Sequence, residues 1–320
     1  MESRAGGVII GAGIVGCSVA EHLSRLGWRD VVVLDQGPLF EAGGSTSHAP
    51  GLMFQTNPSK MMTDLAKYSV GRYVELELDG RPCGYQVGGI EVAGTEERWE
   101  DLKRKHGLAT SWGLESQLIS PQECVERVPV LDKNRIRGGF HVPTDGIAKA
   151  VRACEAMAPL AGERGARFYG ETEVTGIEVK DGRVRSVETD RGRVETELVV
   201  SCAGMWGPRI GQMVGMKVPL VPMQHQYAWT TPLEELAGET REVVHPILRH
   251  QDFSMYFRQR GDHYGIGTYR HRPMPVSVDD IRRITGGKAS FPRSGSLRQK
   301  TSSPPGKRRA RCYLPWRGWG

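Results

Sequence analysis

The chain has 320 residues, of which 38% are hydrophobic and 25% charged. These are globular values, not those of a disordered chain, and the length suits one large domain or two ordinary ones. The formal charge of +6 is unevenly spread: nine Lys or Arg and no acid lie from Gly286 onward, leaving 34 basic against 37 acidic groups before it. The body is therefore mildly acidic, which argues against nucleic acid as its partner. No apolar run is long enough to span a bilayer, so no membrane is expected. The opening MESRAGG runs straight into an apolar strand, leaving no room for a signal peptide's apolar region, and the expected location is cytoplasmic. Six cysteines (Cys17, Cys83, Cys124, Cys154, Cys202, Cys312) show no CxxC pair or zinc spacing and read as reduced thiols, with no metal implied.

In chain order, an apolar run from Gly7 to Ile10 precedes GAGIVG. Apolar residues at Ile14, Val15, Val19, Leu23 and Leu26 then recur at helical spacing, and Gly27 ends that helix. Val31 to Leu34 is an unbroken apolar run, as in a parallel strand buried on both faces. Gly11, Gly13 and Gly16 form GxGxxG between strand and helix. The first permits the tight turn, the second a close approach to pyrophosphate, and the third close helix–strand packing. Asp35 ends the second strand, 19 residues after Gly16, where an acid can bond an adenosine ribose. Order and spacing together point to a dinucleotide-binding βαβ unit, without choosing between FAD and NAD.

A Gly/Ser/Thr loop follows at 43–51. Ser59 is positioned to cap a helix running to about Glu77. Gln86–Ala93 reads as a strand and Thr95–His106 as a helix. Ser120-Pro121-Gln122-Glu123 is a capping box with proline at the first helical position. The pattern predicts a helix from Gly146 to about Glu163, then period-two strands from Arg167 to Val194 with hairpins at Asp181-Gly182 and Arg191-Gly192. Leu198–Cys202 reads as a buried strand. A mostly antiparallel region follows, with strands expected at Lys217–Val221, His225–Thr231, Ser254–Arg260 and His263–Tyr269. After Gly286 aliphatic residues almost vanish and no period is found. A reading-frame error or truncation accounts best for that break; a natural disordered basic tail and a nucleic-acid-binding tail are the alternatives.

Over residues 7–285 the sequence resembles the glycine-oxidase-like FAD-dependent oxidoreductases of the D-amino-acid-oxidase superfamily, the dimethylglycine oxidase branch in particular. The segments that carry this are VIIGAGIVG (8–16), VVVLDQGPL (31–39), GGSTSHAPGLMFQTNPSKMM (43–62), QVGGIEVA (86–93), ELVVSCAGMWG (197–207), HQY (225–227), ILRHQD (247–252) and YGIGTYRHRPMPV (264–276). The resemblance implies an α/β fold, α+β overall. A Rossmann-like FAD-binding domain (1–94 and 145–216) would be joined to an antiparallel β substrate-binding domain (95–144 and 217–285), truncated, with 286–320 as a separate tail.

It further implies FAD contacts from Gly11, Gly13, Ile14, Val15 and Gly16, from Asp35 and Gln36, and from Ser45, Thr46, Ser47 and Leu52. Val174 and Gly204 would add backbone contacts. His48 would carry the flavin covalently. His225 and Tyr256 match the family's active-site pair, and Trp206, Tyr227, Arg249, His250 and Tyr269 lie in matching segments. The implied reaction is oxidative demethylation of a small N-methylated amino acid, with oxygen or an electron-transfer protein as acceptor. A nicotinamide-dependent dehydrogenase is the alternative that the glycine motif alone leaves open. Since relatives continue beyond residue 285, a chain lacking later strands of the FAD domain is expected to fold poorly and to have little activity.

Overall fold

The computed structural model describes residues 2–41 and 43–281. The tail set apart at residue 286 lies outside the described residues. Gly7–Ile10 and Val31–Leu34 pair in parallel, flanked by Ala166–Tyr169 on one side and Val199–Ser201 on the other. Alternation along these strands sends side chains to two different cores. Ile9, Val31 and Val33 face the helices Ile14–Arg25 and Ala150–Gly162. Those helices approach closely because Cys17, Ala20, Ala153, Cys154 and Ala161 are small at the contact. Val8, Ile10, Val32 and Leu34 face a three-stranded antiparallel sheet, Val174–Lys180, Arg183–Thr189 and Gly192–Glu195. Burial on both faces explains the unbroken apolar runs.

A seven-stranded sheet forms the second layer system. Its order is Tyr227–Trp229, His263–Thr268, Met255–Arg260, Ile247–His250, Gly89–Ala93, Gly138–Val142 and Gln117–Ile119. All pairs are antiparallel except Ile247–His250 with Gly89–Ala93. Its register puts Phe257, Leu248 and Ile90 in a core with Cys124, Val128 and Leu131, while Tyr256 and Arg249 point to the opposite face. Gly89–Ala93, grouped by sequence with the dinucleotide half, sits near the middle of this sheet. A small sheet of Leu52–Met53, Gly146–Ala148 and Gly84–Tyr85 joins the two systems.

Three elements differ from expectation. Gly146–Ala148 is a strand, and the helix begins only at Ala150. A Cβ on Gly146 would stand 1.8 Å from the Tyr85 carbonyl oxygen, so pairing and not helical period decides the segment. Lys217–Val221 is not a strand, and the next strand is only Tyr227–Trp229. Pro219 and Pro222 remove amide donors there, leaving a single bridge from Met223 to Pro275. Val199–Ser201 is the outer strand of its sheet, half-buried to exposed instead of buried.

Candidate cofactor cleft and aromatic patch

The carboxyl ends of the parallel strands open into a cleft of about 440 Å³. Its wall includes Gly11, Gly13, Ile14, Val15, Asp35, Gln36, Ser45, Thr46, Ser47, Leu52, Val174 and Gly204. Thus all but two of the residues named for the cofactor meet on one surface. Gly16 lies beneath it, where a Cβ would stand 1.8 Å from the Gly11 carbonyl oxygen. A Cβ on Gly11 itself would stand 2.5 Å from the Cys202 carbonyl oxygen, which fixes how closely the two glycine turns approach. Trp206, from the second turn, also lines the wall and faces Gly44.

His48 stands beside the cleft, exposed, while its neighbours Ser47 and Ala49 form the wall. It ends the short helix Ser45–His48. Its Nδ1 lies 2.8 Å from the Gly44 carbonyl oxygen and 3.1 Å from Ser47 Oγ, contacts that orient the ring. The same turn reaches into the glycine loop: the Ile14 amide donates to Thr46 Oγ1 at 3.0 Å. That amide belongs to the first turn of the helix, where donors lack intrahelical partners. Asp35 also has structural partners. Its Oδ2 accepts from the Ala12 amide at 2.7 Å and its Oδ1 from the Gly37 amide at 2.9 Å. Burial raises its pKa, and those two amides oppose the rise. A carboxylate has further lone pairs, so these bonds are compatible with a ribose contact.

His225 and Tyr256 are not in the cleft wall. They meet on the exposed side of the seven-stranded sheet through Tyr269, whose ring centroid lies 5.1 Å from that of His225 and 5.4 Å from that of Tyr256. Tyr227 stacks on Tyr256 at 6.1 Å and 25°. Glycines make room for both phenols: a Cβ on Gly265 would collide with the Tyr227 ring, and one on Gly267 with the Tyr256 ring. Burial, then the neighbouring Tyr269 and Tyr227, push the Tyr256 phenol up to about 12. It is a proton donor at neutral pH.

Sequence reasoning missed the residue that joins patch and cleft. Arg258 donates through Nη1 to the Pro50 carbonyl oxygen at 2.5 Å, holding the His48 loop against the sheet, and its guanidinium lies 5.3 Å from the Trp229 ring. The sequence signal was only a basic residue at an alternating strand position. A second brace surrounds Glu242, which bonds Lys149 at 2.5 Å, Tyr85 Oη at 2.8 Å and Arg152 at 3.1 Å. Burial works against the Glu242 charge, but these partners hold its pKa at about 2.

The cleft fits a dinucleotide: a first glycine turn with no room for a Cβ at Gly11 or Gly16, a second glycine turn at Gly204, an acid at the end of the second strand, and Val174 in the opposite wall. A family model described as FAD dependent oxidoreductase matches residues 8–299. Mouse (Mus musculus) sarcosine dehydrogenase, a mitochondrial protein, is 34% identical over 86% of the chain and 30% of its own length. Human (Homo sapiens) dimethylglycine dehydrogenase, also mitochondrial, is 34% identical over 84% of the chain and 31% of its own length. The crystal structure of L-proline dehydrogenase from P. horikoshii superposes with a TM-score of 0.75 at 25% identity, covering 84% of this chain and 71% of that one. The chain belongs to the FAD-dependent oxidoreductase family. It spans about 30% of the length of the curated relatives it matches. Among the described residues no helix is long and apolar enough to cross a membrane, and no group of His, Cys, Asp and Glu could hold a metal ion.

Proposed function

We propose that the chain holds FAD in the cleft, tethered through His48, and oxidises a small N-methylated amino acid of the sarcosine or dimethylglycine type. The observation that carries this reading is the placement of the STSH turn. Thr46 bonds it to the glycine loop, and Arg258 bonds the following Pro50 to the sheet bearing Tyr256. One loop thus connects the dinucleotide cleft to the residues matched to the family's active-site pair. Relatives named for sarcosine and dimethylglycine support the substrate class. The family model sets aside the nicotinamide alternative.

In this reading Gly11, Gly13, Ile14 and Val15 receive the pyrophosphate, Asp35 and Gln36 the ribose, and Val174 the adenine. Flavin held there would supply a hydride acceptor for an N-methyl C–H, and the oxidised substrate would release formaldehyde on hydrolysis or pass its one-carbon unit to a folate. Tyr256, protonated at neutral pH, donates a hydrogen bond to the substrate carboxylate or nitrogen. His225, exposed beside it, takes up the amine proton. Oxygen or an electron-transfer protein would regenerate the flavin.

The test is to express the full chain with FAD supplied and ask three questions: does it turn yellow, does the colour stay with acid-precipitated protein, and does dimethylglycine or sarcosine yield formaldehyde? A His48→Ala variant should keep FAD but release it on acid precipitation. A colourless wild type would end the proposal. Tightly bound flavin with no formaldehyde would leave an inactive fragment of such an enzyme.

A further inference from the structure

We propose that Tyr227, Tyr256 and Tyr269 form an aromatic cage that selects the methylated ammonium group of the substrate over a neutral group of the same shape. This rests on the function proposed above and names the residues that would set its specificity.

The geometry supports a cage more than a packed core. The Tyr256 ring stands between two others, stacked on Tyr227 and tilted at 39° to Tyr269. The His225 ring meets Tyr269 at 84° and closes one side, while Trp229 meets Tyr227 at 82° on the other. The patch remains open: Tyr269 is 59% exposed and Trp229 43% exposed. Its floor is glycine, at Gly265 and Gly267, where any larger residue would displace a phenol. Such a row of ring faces over bare backbone is an expensive way to build a surface but a suitable one for a cation.

The adjoining Trp229 ring already holds cations. Two guanidinium groups, of Arg258 and Arg260, lie 5.3 and 5.9 Å from the Trp229 ring centroid. Yet among the described residues no hydrogen bond or ion pair brings a carboxylate to Tyr227, Tyr256, Tyr269 or His225. A primary ammonium, with three N–H donors and a tight hydration shell, finds here only neutral phenol and imidazole acceptors and no carboxylate to offset its desolvation. A methylated ammonium has few donors, sheds water more easily and spreads its charge over methyl groups that fit against ring faces. The patch therefore suits a methylated cation better than a neutral group of the same shape.

The test uses two ligands of the same shape that differ only in charge: N,N,N-trimethylglycine and tert-butylacetic acid, its carbon isostere. Neither has the N–H of a primary amine. Binding to the full chain is followed by calorimetry or tryptophan fluorescence. Trimethylglycine should bind about 5-fold more tightly than the isostere. Tyr269→Leu, at an exposed position, should shrink the preference to within about twofold, and Tyr269→Phe should retain it. Equal affinities in the wild type, or no binding of either ligand, would overturn the cage. So would a preference that survives Tyr269→Leu. The two proposals separate cleanly. A yellow, formaldehyde-producing protein without the preference loses the cage and keeps the function. A colourless protein with the preference keeps the cage and loses the flavin assignment.

Discussion

Asp145 sits at the join between the small sheet and the seven-stranded one, 2% exposed, beside a cavity of about 40 Å³ that Arg249 and Glu91 also line. Its Oδ1 accepts from the Gln55 amide at 2.9 Å and from Gln55 Nε2 at 3.1 Å. Burial raises its pKa to about 7 against these bonds and the more distant Arg249 charge. An unfolded aspartate titrates near 3.9, roughly. The folded protein therefore holds the proton more tightly, and the stability this confers is full below the unfolded value and lost as pH rises through about 7. Asp145→Asn keeps the acceptor and removes the titration. Thermal melts should show the wild type weakening relative to the variant between about pH 5 and pH 8, by on the order of 2 kcal/mol at the upper end. Parallel curves would show that Asp145 is not the titrating group.

At this scale the sequence is legible where a residue's role follows from its own chemistry. Gly11 and Gly16 are required by sterics within a few residues, and Asp35 by its place after a strand. Arg258, Asp145 and the Thr46 bond were not legible. Their partners stand 208, 90 and 32 residues away in the chain, and nothing in local pattern specifies such pairings.

Helix ends were readable as elements because their signals are local. Ser120 accepts from the Glu123 amide while the Glu123 carboxylate accepts from the Ser120 amide, and Pro121 opens the helix Pro121–Arg127. These bonds also hold the Glu123 pKa below the usual carboxylate range, since its carboxylate accepts from the backbone and hydroxyl of Ser120. The helix carries Cys124 into the core behind the seven-stranded sheet. Ser120→Ala should cost about 1 kcal/mol in chemical denaturation with little change in the slope of the transition. A cost near zero would mean that packing alone fixes the helix. Ser59 caps its helix as the pattern suggested, and Thr95, read as the first helical residue, is the cap of Glu96–Ser111; each accepts from the amide three residues on. Reading failed where an element is decided by its partner strand. Gly146–Ala148 pairs with one strand on each side, and 217–226 keeps only the bridge from Met223 to Pro275 because prolines interrupt it. A sequence period measures one segment at a time and sees neither.

At the scale of the molecule, the four-stranded sheet has its outer edge at Val199–Ser201. Close in sequence, Met216 and Val221 are 63% and 65% exposed. Among the described residues that edge has no partner strand, and unpaired edges and exposed apolar side chains favour association between chains. Light scattering of the purified chain should show concentration-dependent assembly, and Val221→Lys should reduce it without lowering the melting temperature. A monodisperse wild type would show that this face is covered in solution. The two-layer α/β plan and the antiparallel sheet were legible because alternating and unbroken apolar runs differ in kind. The way the layers meet, through Pro50 and Glu242, was not, because it depends on single polar contacts between distant segments.

The glycines beneath the tyrosines constrain which sequences this family member can reach by single steps. A methyl group at residue 267 evicts the ring at 256, and a smaller side chain at 256 leaves a hole that only a larger residue at 267 can fill. Each change is harmful alone and tolerable with the other. Positions 227 and 265 are bound in the same way. This tyrosine face therefore tolerates change in pairs, and a variant with altered ring positions must change strand and neighbour together.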